Sequence, residues 1–142
     1  MDATFINRLP IQVRFSDIDM MGHVSNTIYQ NYYDSGKINY FDDVIPEMDI
    51  ITVGVVAASV KLDFLKPIYI KTKIFVESRI SVIGHKSLSM EQRLLEEDTN
   101  EVLSACVTAM VCYDVKNKIS IPIPKEWKDN IVAYDKNVRI KE

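Results

Sequence analysis

The chain has 142 residues, 47% of them hydrophobic and 26% charged, with a formal net charge of −3 at pH 7. That length holds one hydrophobic core and excludes a second full one, so a single domain over residues 1–142 is expected. The acidic balance speaks against a nucleic-acid binder, which carries a basic patch or stripe. There is no uncharged apolar run of the roughly 18 residues that a membrane span needs. The opening MDATFINRLP does not read as a secretory leader, so a cytoplasmic protein is expected.

In chain order, Leu9 to Phe15 alternates loosely and reads as a half-buried strand. A polar turn, Ser16 to Ser25, follows, with Ser25 as the expected N-cap of a helix. From Asn26 the apolar period changes: Tyr29, Tyr32, Tyr33, Gly36, Tyr40 and Phe41 recur at steps of three and four, a helix that ends before Pro46. Gly36 on that face costs roughly 1 kcal/mol relative to Ala, which a close approach to a packed surface would repay. The tyrosine stripe reads first as core packing and second as an aromatic substrate box.

Strands are then expected at Ile51–Phe64, Tyr69–Val82, Ser87–Leu95 and Val102–Val115, with turns at Gly84-His85-Lys86, Glu96–Asn100 and Lys116-Asn117-Lys118. Lys125 to Ala133 reads as a short C-terminal helix begun by Pro124, and Tyr134 to Glu142 as a fraying tail. This is an α+β pattern of five antiparallel strands and one long helix. One helix cannot cover both faces of such a sheet, so an oligomer is expected.

The chemistry-bearing residues concentrate in Ser16-Asp17-Ile18-Asp19-Met20-Met21-Gly22-His23. Two carboxylates and an imidazole stand just before a helix N-terminus, whose unpaired amides favour a developing oxyanion. A carboxylate there can attack an acyl carbon or deprotonate water. From residues alone, Asp17 and Asp19 equally well cap the turn by accepting backbone amides. The stretch mimics the start of a calcium loop, but its fifth position is Met21 and its twelfth Ile28, where a bidentate Glu is needed. A transition-metal site from Asp17, Asp19 and His23 lacks a further His or Cys nearby, so no metal is expected. Cys106 and Cys112 sit about 20 Å apart on one strand at ~3.3 Å per residue. That is too far for a disulfide, and both read as packing residues.

Taken together, VRFSDIDMMGHVSNTIYQNYYDSGKINYF resembles the N-terminal signature of hotdog-fold thioesterases of the 4-hydroxybenzoyl-CoA thioesterase type. In those, a strand leads to D-x-D-x-x-G-H-V-N-N and then to Y-x-x-Y-x-x-x-A-R on a helix. The resemblance implies a five-stranded antiparallel sheet wrapped around one long helix, and hydrolysis of an acyl-CoA thioester without a cofactor. It implies Asp19 as the catalytic carboxylate and the backbone amide of Asn26 as the carbonyl-polarising group, with His23 in the same pocket. Asp17, Gly22 and Tyr29 would shape the substrate side, and His85, Lys86 and Ser87 would hold the coenzyme A phosphates. Ser25 replaces the first Asn of N-N, and Gly36-Lys37 replaces A-R; Lys lacks the bidentate reach of Arg. The expected assembly is a homodimer or homotetramer with active sites at the subunit interface. An acyl-carrier-protein thioesterase and a non-catalytic acyl-CoA-binding module are the alternatives.

Overall fold

A computed structural model describes residues 5–141. Its strands are β1 (Asn7–Ile11), β2 (Val53–Phe64), β3 (Ile74–Ile83), β4 (Ser87–Glu96), β5 (Val102–Asp114), β6 (Ile119–Ser120) and β7 (Arg139–Ile140). The helices are α1 (Asn26–Val44) and α2 (Lys125–Tyr134), with a 3-10 turn at Phe15–Asp17. The five longer strands form one antiparallel sheet in the order β1-β3-β4-β5-β2. Two-residue β6 adds to β5, and β7 lies parallel to β3. The expected five strands are thus present, with two short ones added.

The helix lies on this sheet because its buried residues fall on one face: Tyr29, Tyr32, Tyr33, Gly36, Tyr40, Phe41 and Val44. Gly36 marks the closest approach. A Cβ placed there would sit 2.8 Å from Val76 Cγ1 and 2.9 Å from Gln92 Nε2. Gln92, buried beneath it, donates to the Tyr33 carbonyl at 2.8 Å and to Ser78 Oγ at 3.0 Å. The apolar core divides along the helix. Tyr40, Phe41, Ile80, Met90, Met110 and Ile131 pack toward α2, and Tyr29, Tyr33, Val76, Leu94 and Cys106 toward the helix start. Cys106 and Cys112 are free and buried, each in one of these clusters.

Several boundaries differ from those read off the sequence, each for a local reason. The first strand ends at Ile11 rather than Phe15, because Asp17 folds the chain back by accepting the Arg14 amide, which leaves Phe15 exposed. The third begins at Ile74 rather than Tyr69. The residues before it turn instead, with the Thr72 amide bonded to the Tyr69 carbonyl, and Ile68 accepts from the Val24 amide at 2.8 Å. The tail does not fray through residue 141: Asp135 is buried, and the Lys141 amide bonds to the Ile83 carbonyl. Glu142 and residues 1–4 lie outside the described residues.

Helix α1 packs on β1, β3 and β4 and leaves β2 open at the sheet edge. From Val56 to Lys61 every residue of β2 is exposed. Beside it, Ile38, Ile50, Ile51, Phe64 and Leu65 are exposed too. A bulge at Ala57/Ser59 keeps Val55, Ala57, Val60, Leu62 and Phe64 all on the helix side of the sheet, opposite Cys112, Met110, Thr108, Cys106 and Ser104. A long, exposed and largely apolar strand edge of this kind is a template for pairing with another chain.

Candidate active site

The loop that joins β1 to α1 closes as a tight hairpin. The Asp19 amide bonds to the His23 carbonyl at 3.0 Å, the Gly22 amide to the Asp19 carbonyl at 3.1 Å, and Ile18 bridges Val24. Gly22 has φ +87°, in the left-handed region that side chains rarely adopt, so the turn depends on it. The hairpin is buttressed by the 65–73 loop through the Val24–Ile68 hydrogen bond and an edge-on contact of His23 with Tyr69.

The two carboxylates have opposite surroundings. Asp17 is 1% exposed. Its Oδ2 accepts from the Tyr32 hydroxyl at 2.6 Å and the Arg14 amide at 3.0 Å, and its Oδ1 from the Arg14 guanidinium at 3.4 Å. Burial alone would raise its pKa, but those hydrogen bonds and the Arg14 charge outweigh burial and hold it below the usual carboxylate range. Its carbonyl also accepts the Ser25 amide, tying the helix start to the loop. Burial in turn raises the Tyr32 phenol, with the Asp17 hydrogen bond adding to it, so that hydroxyl stays a donor.

Asp19 instead keeps a side chain that is 35% exposed. Its Oδ1 accepts the Met21 amide at 2.9 Å and lies 3.9 Å from His23 Nδ1. Among the described residues nothing donates to Oδ2. Asp19, His23, Val24, Asn26, Tyr29, Phe64, Lys66 and Pro67 line one cavity of about 340 Å³. Ser25 occupies the N-cap position, but its hydroxyl pairs with Thr27 Oγ1 at 3.1 Å and caps no amide. The helix N-terminus therefore reaches this cavity without a side-chain cap over it.

Of the residues singled out from sequence, Asp19, His23, Asn26 and Tyr29 come together, with Gly22 in the same hairpin. Asp17 lies behind them in the loop's interior. His85, Lys86 and Ser87 do not join them within one chain. They form the exposed β3–β4 turn, where the Lys86 carbonyl accepts the Cys112 amide, and Cys112 lies at the far end of β5 from Ser104, the partner of Phe64. That is about 25 Å away at ~3.3 Å per residue. Phe64, Lys66 and Tyr69 are site residues that the sequence reading missed. Phe64 stacks edge-on to Tyr29 at 4.9 Å, and Lys66 pairs with Glu101 at the rim. Only the break at Pro67 signalled that the chain leaves the sheet there to meet another loop. Among the described residues no group of three or more His, Cys, Asp or Glu is placed to hold a metal ion, and no helix is long and apolar enough to cross a membrane.

A five-stranded antiparallel sheet packed on one long helix is a fold shared with known proteins. The PA5185 protein of Pseudomonas aeruginosa strain PAO1 superposes with a TM-score of 0.84 at 25% identity, over 93% of each chain. A thioesterase from Thermus thermophilus, solved with coenzyme A and Zn, gives 0.81 at 27% identity over 93% of this chain and 96% of that one. An uncharacterized Bacillus subtilis protein, YsmA, is 30% identical over 89 residues, 61% of this chain; the match spans 58% of that relative's length. The sequence pattern of the thioesterase-like superfamily matches residues 13–131, from just after the first strand into the last helix, and the chain belongs to that superfamily.

Proposed function

We propose that the protein is an acyl-CoA thioesterase of the 4-hydroxybenzoyl-CoA thioesterase type, working in the cytoplasm, in which Asp19 is the catalytic carboxylate. The observation that carries this reading is the cavity that places the exposed Asp19 carboxylate beside Asn26, the first residue of the helix. The thioester carbonyl is polarised by the Asn26 amide, which holds the developing oxyanion. Asp19 either attacks the carbonyl carbon, forming an anhydride that water then opens, or removes a proton from the attacking water. Both routes expel the coenzyme A thiolate, which takes up a proton, and leave the free acid. His23, against the Asp19 carboxylate, orients it, and Tyr29 with Phe64 bounds the site. Asp17 shapes the loop from inside.

The distance to His85, Lys86 and Ser87 fits a homodimer. Antiparallel pairing of β2 with β2 of a second copy carries that turn across to the other copy's Asp19, where it would hold the coenzyme A phosphates. The solved coenzyme A complex of the Thermus thermophilus thioesterase supports coenzyme A as the carrier. The test is thiol release from acetyl-, decanoyl-, palmitoyl- and benzoyl-CoA by wild type and by Asp19→Asn. Turnover should fall at least 100-fold in the variant with the unfolding midpoint kept. Equal turnover in the two proteins removes Asp19 from the mechanism. Hydrolysis of acyl-carrier-protein thioesters alone, or binding without hydrolysis, replaces the acyl-CoA reading. Labelled solvent oxygen in the Asp19 carboxylate after a single turnover marks the nucleophilic route.

A further inference from the structure

A second cavity, of about 420 Å³, lies between the C-terminal half of α1, the loop after it and the start of β2. Its wall is mostly apolar, with Ile38, Phe41, Ile45, Met48, Ile50 and Val55 among its residues, and Asp42 is the carboxylate in its lining. Lys37, on its rim, is already paired with Asp34 at 3.5 Å, so the groove offers no uncommitted lysine to an anionic ligand. It cannot extend the Asp19 cavity of its own chain. Val55 lies at one end of β2 and Phe64, in the Asp19 cavity, at the other, about 30 Å away at ~3.3 Å per residue. Antiparallel pairing of two β2 edges about the exposed 56–61 run changes this. It sets Val55 opposite the partner's Leu62 and brings each groove against the Asp19 cavity of the other copy.

We propose that the groove binds the acyl chain of a thioester held at the Asp19 of the second copy, and that it selects neutral, unbranched chains of medium length. The inference rests on the thioesterase reading and on β2 pairing. It adds to them which face of the chain recognises the acyl group and what that group is. At about 30 Å³ for a carbon-sized group, comparable to a water's share of liquid volume, a groove of about 420 Å³ takes at most about fourteen chain carbons. A dicarboxylic or otherwise charged tail would meet an apolar wall there.

The experiment uses the full chain with saturated acyl-CoAs from acetyl to palmitoyl. Specificity should climb by up to about fourfold per buried methylene and level off between about ten and fourteen carbons, the upper limit set by the groove volume. Ile38→Trp fills the groove and Ile50→Asp charges it. Both positions are exposed in the single chain, so neither change disturbs the core. Each should lower the ratio of decanoyl- to butyryl-CoA turnover at least tenfold. A doubly tagged heterodimer of Asp19→Asn with Ile38→Trp then contains one fully native site. It should recover about half of the wild-type decanoyl-CoA turnover, although each parent homodimer is deficient. A flat chain-length profile, an unmoved ratio, or a heterodimer no better than its parents overturns the proposal. Binding of the non-hydrolysable thioether decanoyl-CoA separates this from the hydrolytic reading. If wild type hydrolyses nothing, tenfold weaker binding in Ile38→Trp still supports the groove, and equal binding refutes it.

Discussion

Replacing Gly36 by Ala tests how the helix is held against the sheet. On propensity alone, Ala in a helix interior gains about 1 kcal/mol over Gly. The structure reverses the sign. The new methyl would stand 2.8 Å and 3.0 Å from the two Val76 methyls and 2.9 Å from Gln92 Nε2, distances that real Cβ atoms almost never show. Overpacking of this kind costs about 1–3 kcal/mol. Gln92 is buried, and moving it breaks or lengthens its bonds to the Tyr33 carbonyl and Ser78 Oγ. Leaving such buried groups poorly paired costs about 1–3 kcal/mol more. The balance is a destabilisation of about 3 kcal/mol.

With a urea slope of about 1.5 kcal/mol/M, the unfolding midpoint should fall by about 2 M with the slope unchanged. Thermal unfolding should shift down by about 6–12 °C. Both are measured at one fixed protein concentration, since association raises apparent stability. Combining the change with Val76→Ala removes the closest methyls, so the double variant should lie at least 1 kcal/mol above the sum of the singles. An equal or higher midpoint for Gly36→Ala would refute the reasoning, for it would mean that the helix has room where the packing says it has none.

Asp17→Ala removes the acceptor of the buried Tyr32 hydroxyl and the Arg14 amide, and should cost about 3 kcal/mol in urea unfolding while lowering kcat through the loosened Asp19 hairpin. Because the folded-state pKa of Asp17 is depressed, its stabilisation is present above the ordinary carboxylate value of about 3.9 and is lost as pH falls through the folded value. Wild type should therefore lose more stability than Asp17→Asn on acidification below about pH 4. Asp135 behaves oppositely: burial raises its pKa, although Tyr40, the Ile80 amide and Arg79 favour the charged form. Its contribution is full below about pH 3.9 and declines as pH rises through the raised value, so the stability of wild type relative to Asp135→Asn should shrink as pH rises above about 4. Val60→Asp places a charge on the exposed β2 edge; on the β2 pairing proposed above, sedimentation should show wild type as a dimer and the variant as a monomer, and a monomeric wild type or a dimeric variant would refute that pairing.

The fold was legible where a local period carried it. The three-and-four spacing of the tyrosines located α1 and its buried face, and Gly36 on that face announced the close approach to Val76. Alternation carried β4 and β5, but it misplaced the start of β3. Tyr69 to Lys73 alternates like a strand, yet its partners are a turn of its own and the hairpin around Val24. Those partners are remote in sequence, so no local pattern could show them. For the same reason Lys66 and Phe64 went unseen as neighbours of Asp19. Ser25 stands where an N-cap belongs, but Thr27 captures its hydroxyl, and residue type alone does not decide that competition.

Asp17 and Asp19 differ in a way that sequence leaves open: one is enclosed by the fold and the other is exposed. They are the same residue two positions apart in one loop, and either could serve as a turn-capping group or as a reagent. The difference lies in what encloses them. Asp17 meets Tyr32 from the helix and folds under its own Arg14, so both its oxygens are engaged and its charge is held by the protein. Such a carboxylate is shut away from a substrate by burial, and its value is the rigidity it gives the hairpin. Asp19 accepts the Met21 amide and lies near His23 Nδ1 through one oxygen. Its other oxygen accepts no hydrogen bond among the described residues, and Asp19 lines a cavity together with the first residue of the helix. A reagent needs that combination of a fixed position and an unspent oxygen. The buried carboxylate supplies the first and the exposed one the second, so loss of Asp17 should weaken the fold and the rate together, whereas loss of the Asp19 charge should weaken the rate alone.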